Sequence, residues 1–163
     1  MPMPVAVSAC PIVTDDVPEM AAPSPDTLAY SFTLPAGAAS CRVARATTRV
    51  VLKAHGLDGM TDAAVQVVSE LTACACRFTP GEDMYVSLRY REDALRVILY
   101  DGHPWHRHPR VAEACEVRRR AALRVLGCVV RACEGEWGFG EGREPGGGTR
   151  MWAVLPGRGA RGW

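Results

Sequence analysis

Lysine is all but missing from this 163-residue chain: Lys53 stands alone among 19 basic residues, so positive charge here means arginine. The net charge is only +1, and the mild basic excess outside an acidic N-terminal stretch falls short of the clustered footprint that nucleic-acid binding needs. Long apolar runs are missing too. No window approaches the ~20 apolar residues of a membrane-spanning helix, and no basic segment followed by an apolar stretch marks a secretory signal. Cysteine, by contrast, is plentiful, but seven is an odd number and the spacings match no zinc-ribbon or disulfide framework. A reduced, cytoplasmic setting is the expectation.

What is present is enough apolar material for one core but not for two. Residues 1–27 carry Pro2, Pro4, Pro11, Pro18, Pro23 and Pro25 among Ala, Ser and Asp without a sustained period, and read as a disordered arm. Residues 28–156 read as one folded domain. The run Gly157-Arg158-Gly159-Ala160-Arg161-Gly162-Trp163 reads as a flexible tail.

Within the domain the hydrophobic period switches in a regular way. Tyr30 to Leu34 alternates like a strand and stops at Pro35-Ala36-Gly37. Ala38 to His55 reads as an amphipathic helix, with Cys41, Ala44, Ala46, Val50, Val51 and Ala54 inward and an end near Gly56. A second helix, capped by Thr61 or Asp62, turns Ala64, Val65, Val68, Leu71 and Ala75 inward and ends near Pro80. Met84–Arg91 and Ala94–Asp101 form two strands joined at Glu92-Asp93, each with one apolar face. Residues 102–114 read as a loop, Cys115–Cys133 as a third helix, and Glu136–Phe139 and Thr149–Leu155 as closing strands across a glycine-rich loop. The expected fold is an α+β two-layer sandwich, a mixed and mostly antiparallel sheet covered on one face by about three helices.

Three stretches carry the candidate chemistry: Val68-Ser69-Glu70-Leu71-Thr72-Ala73-Cys74-Ala75-Cys76-Arg77, then Tyr100-Asp101-Gly102-His103-Pro104, then Gly146-Gly147-Gly148-Thr149-Arg150-Met151-Trp152. In content and order they resemble the nucleotide boxes of the histidine-kinase-like (Bergerat-fold) ATPases, specifically the small bacterial anti-sigma-factor serine kinases. The resemblance spans about residues 29–156. It implies that Glu70 is the general base, a role open to a carboxylate within hydrogen-bond reach of the attacking hydroxyl; by its residue type alone Glu70 is equally a helix-surface acid paired with Arg77 or another Arg. It implies further that Asp101 reads the adenine amino group, where a turn Asp supporting Gly102 is the plainer alternative. Cys74, Arg77, Asp101, Gly102, Gly148 and Thr149 are then the nucleotide-contact candidates, for ATP or ADP with magnesium.

Two departures weaken that activity. Cys74 stands where the family has the Asn that holds magnesium, and a thiol is a poor ligand for a hard cation on which phosphoryl transfer depends. Arg118-Arg119-Arg120-Ala121-Ala122-Leu123 stands near the place of the second glycine box, so backbone amides have no open approach to a phosphate. The three arginines read as a solvated helix face, with a side-chain phosphate grip as the alternative. Cys74 and Cys76 read as small buried hydrophobes. His103, His106 and His108, with Cys115, contain zinc-type donors but no second well-spaced pair.

The function the resemblance implies is a regulator with weakened or lost ATP binding. Its partners would be a sigma factor or an anti-anti-sigma switch protein, with homodimerisation through the first strand and helix. The alternative is an active serine/threonine kinase that phosphorylates an anti-anti-sigma partner, with backbone near Gly127 holding the phosphates.

Overall fold

Side-chain alternation builds the sheet. In the computed structural model, which describes residues 22–143 and 147–162, Met84, Val86, Leu88 and Tyr90 of β2 (Asp83–Arg91) are buried. So are Leu95, Val97 and Leu99 of β3 (Ala94–Asp101), while Arg89 and Arg96 between them are exposed. With β1 (Ala29–Pro35), β4 (Glu136–Glu141) and β5 (Thr149–Pro156) the sheet runs β1-β2-β3-β5-β4. Every pairing among the described residues is antiparallel, so the mixed sheet expected from sequence resolves to an antiparallel one. The β2–β3 turn is the two-residue kind, with Glu92 and Asp93 both at φ 54°. Such turns match strand twist but suit Asn and Gly better; the Tyr90 hydroxyl donates to Asp93 Oδ1 at 2.6 Å and holds the turn.

The helical layer is α1 (Ala38–Ala54), α2 (Thr61–Phe78), α3 (Pro109–Ala122), α4 (Arg124–Ala132) and the short α5 (Gly157–Ala160). α2 and α4 lie against the sheet and α1 packs on α2. The α1 stripe is Ser40, Ala44, Thr48, Val51 and Leu52, because Thr48 satisfies its hydroxyl on the Ala44 carbonyl at 2.8 Å. Val50, expected inside, is 68% exposed. α1 closes as anticipated at Gly56, whose φ of +70° suits glycine, with Leu57 N donating to the Leu52 carbonyl at 2.9 Å. None of the described helices is long and apolar enough to cross a membrane.

Three expectations need correction. The third helix is two, broken at Leu123 (φ −95°, ψ 16°), and it begins at Pro109 rather than Cys115. Proline at the first helical position loses no needed N–H and holds His108 extended, so the 102–114 loop shortens to 102–108. The 157–163 tail opens as α5, with Gly157 and Ala160 buried and Gly157 N bonded to the Asp93 carbonyl at 2.7 Å. The last described part of the N-terminal arm is anchored as well. Buried His55 donates from Nδ1 to the Ser24 carbonyl at 2.5 Å and accepts from the Tyr30 hydroxyl at Nε2, 3.0 Å. The remainder of the arm, residues 1–21, lies outside the described residues, as do 144–146 of the glycine-rich loop and Trp163.

Candidate functional site

Strand parity delivers two of the predicted residues to one place. Asp101 continues the inward series Leu95, Val97, Leu99, and Thr149 opens the inward series Met151, Ala153, Leu155. The two strands pair Asp101 with Thr149, so both side chains stand at the end of the sheet beneath the helices. Gly148 makes the approach possible: its φ is +97°, and a Cβ there would sit 2.5 Å from the Asp101 carbonyl oxygen. A Cβ on Gly102 would meet the Glu82 carboxylate instead, a flexible side-chain end.

Asp101 is fully committed. Its Oδ1 accepts the His103 backbone N–H at 3.1 Å, the turn role weighed from sequence. Its Oδ2 accepts from Arg119 Nη1 at 2.8 Å, in an ion pair whose side chains are 0% and 2% exposed. Arg119 thus occupies the place that the resemblance assigns to the adenine amino group. The same Nη1 lies 3.9 Å from Cys74 Sγ and 3.1 Å from Met151 Sδ, and the guanidinium stacks 4.1 Å over the Phe78 ring. Arg119 Nη2 is buried with no protein partner among the described residues. Beside it, between α3 and the 103–106 loop, one cavity of about 10 Å³ is close to what one water needs, and an open groove of about 260 Å³ runs outside it along Arg77, Phe78, His103 and Arg118.

Here the sequence reading fails most. Arg119 was expected on a solvated face with Arg118 and Arg120; those two are exposed, but Arg119 is the one fully buried side chain of α3. Helical spacing carries the missed signal, since Cys115, Arg119 and Ala122 share a face and an inward carboxylate needs an opposite charge.

The other candidates disperse around this plug. Cys74 is buried, and burial above all raises its pKa to about 11, with Arg119 pulling the other way. A neutral thiol offers magnesium nothing, and the chain contains no asparagine elsewhere to replace it. Cys76 turns away, as expected, but is only half-buried, with Sγ 3.8 Å from Cys41 Sγ on α1. Glu70 accepts from Gln66 Nε2 at 2.8 Å and forms no ion pair with Arg77 among the described residues. Arg77 is exposed at the rim of a groove it shares with Phe78 and Arg118. Thr149 is buried, and its hydroxyl donates to the His103 carbonyl at 2.9 Å. The backbone near Gly127 offers no phosphate loop, because Gly127 lies inside α4 with its N–H on the Leu123 carbonyl.

Magnesium with ATP therefore does not fit these residues: the carboxylate that the resemblance assigns to the base is paired with Arg119, the position it assigns to the metal holds a thiol, and the backbone where it places the phosphates is bound in helices. His103, by contrast, lies against the site with its imidazole free of a strong partner. Burial, then the Arg119 charge, lower its pKa from 6.5, against an opposing pull from Asp101. His106 and Cys115 approach it, and the described residues contain no other cluster of possible metal donors. No family model matches the chain, and no curated protein matches it.

Proposed function

We propose that this protein is a non-catalytic, anti-sigma-factor-like regulator that retains an ATPase-like scaffold and works by binding other proteins in transcriptional control. The observation that carries the reading is Arg119, which is buried against Asp101, the residue that the resemblance assigns to the base, and neutralises it. A helix-and-sheet scaffold needs its core for recognition but not a phosphate cradle. An active kinase would require Arg119 to leave Asp101 and an oxygen ligand to take the place of the Cys74 thiol at the magnesium.

Two surfaces support partner binding. The face of the sheet opposite the helices presents Arg89, Arg91 and Arg96 around Tyr85, Ile98 and Tyr100, a mixture of arginine and aromatic side chains common in interface centres. It suits an acidic partner such as a sigma factor or an anti-anti-sigma switch protein. The exposed edge of β1 and the outward Val43 and Val50 of α1, 48% and 68% exposed, suit a second copy of the chain.

Calorimetry with ATP and ADP, with and without magnesium, tests the first half. The native chain is expected to give no heat at about millimolar nucleotide, with magnesium or without it. Binding to immobilised sigma factors and anti-anti-sigma proteins tests the second. The double change Arg89→Glu with Arg96→Glu is expected to weaken it about tenfold or more. Magnesium-dependent ATP binding by the native chain, with transfer of phosphate to a serine of a partner, would instead make it a kinase.

A further inference from the structure

We propose that His103, His106 and Cys115 form a zinc-binding site that fastens α3 to the 102–108 loop. One donor atom from each residue lies within 4.8 Å of the other two. Both ring nitrogens of His103 stand near Cys115 Sγ, at 3.9 and 4.0 Å, and the His103 and His106 rings meet edge to face at 5.2 Å. In a tetrahedral zinc site, bonds of about 2.0–2.3 Å place neighbouring donors roughly 3.3–3.8 Å apart. Side-chain rotations that draw the three together by about 1 Å complete that geometry. All three residues are half-buried, so an ion can reach them. Two imidazoles and a thiolate select zinc over magnesium or calcium, and leave a fourth position open.

The loop is already shaped for this. The His103 backbone is held on both sides, its N–H by Asp101 and its carbonyl by Thr149, so the first ligand is oriented before the ion arrives. Cys115 sits one turn before Arg119 on the same face of α3. α3 itself is loosely fixed, with a single fully buried side chain in 14 residues. A metal bond at Cys115 gives the helix a second attachment on the side of the plug. Zinc binding then stabilises the plugged arrangement by mass action. His108, which the sequence grouped with the other two, is exposed at the start of α3 and outside the cluster.

The test uses the full chain, reduced and stripped of metal, titrated with zinc against a chromophoric chelator and separately with cobalt(II). One equivalent of zinc is expected, and cobalt should give a thiolate-to-metal charge-transfer band with intense tetrahedral d–d absorption. Cys115→Ser should abolish the band, and both Cys115→Ser and His106→Gln should weaken zinc by more than about 100-fold, beyond the usual loss for outer-shell changes. His108→Gln and Cys128→Ser should bind as the native chain does. Zinc should also raise the melting temperature of the native chain and not that of Cys115→Ser, whose circular dichroism checks that it folds. A cobalt complex without the thiolate band, or zinc affinity equal in the native chain and Cys115→Ser, overturns the proposal. Neither result depends on whether nucleotide or partner protein binds.

Discussion

Two arginines, one on each side of the sheet, make ion pairs of nearly the same length. Arg119 meets Asp101 at 2.8 Å beneath the helices, and Arg96 meets Glu92 at 2.9 Å on the bare face. Their surroundings differ completely: the first pair's side chains are 2% and 0% exposed, the second pair's 48% and 82%. In water the attraction is screened and holding the long side chains in place costs entropy, so an exposed pair contributes about 0–1 kcal/mol. Under the helices neither charge has water to return to. Removing one partner there leaves an uncompensated charge, which costs about 3–5 kcal/mol. Equal distances thus mean different things, and only the buried pair decides what the site can accept.

Asp101→Asn breaks this contrast most directly. It should destabilise the fold by about 3–5 kcal/mol in urea unfolding, and adding Arg119→Met should recover most of that loss, because a matched apolar replacement removes the stranded charge. If the double variant is no more stable than the single one, the pair is not the source of the cost. Next, Gly148→Ala should cost about 1–3 kcal/mol, seen as a lowered melting temperature, since it combines a left-handed backbone with a contact on the Asp101 carbonyl.

The third effect is one of pH. His103 has a lowered pKa in the fold, so the unfolded chain binds its proton more readily and stability rises with pH. Its contribution is complete above 6.5 and is lost as pH falls through the depressed folded value. Unfolding of the metal-free chain across that range should show the slope, and His103→Gln should flatten it. Smallest of all, Glu92→Gln should change stability by at most about 1 kcal/mol, and raised salt should erase even that.

Much of the scaffold was legible because its signals are local. β3 was read with the bounds it has, Ala94–Asp101, from alternation alone, and Gly56 ended α1 by its backbone freedom. The same alternation, carried one step past Leu99, accounts for Asp101 on the helical side in the fold. What stayed hidden depended on distance in space. Nothing in Arg118-Arg119-Arg120 distinguishes the middle residue until the carboxylate 18 positions earlier is brought against it. Likewise the sequence grouped His103, His106 and His108 with Cys115, and only the fold removes His108 from that set. The break at Leu123 was missed because both flanking segments are helical in pattern, so the period ran on across it.

The guanidinium in the site is attached to the chain it blocks, and that tether changes what can compete with it. A free nucleotide rises and falls with metabolism, whereas a side chain of the same folded chain is present whenever the fold is. Changes in the ratio of ATP to ADP would leave this occupant where it is. In the regulator proposed above, availability to a partner then follows how much of the protein is made, and not how well the cell is fed.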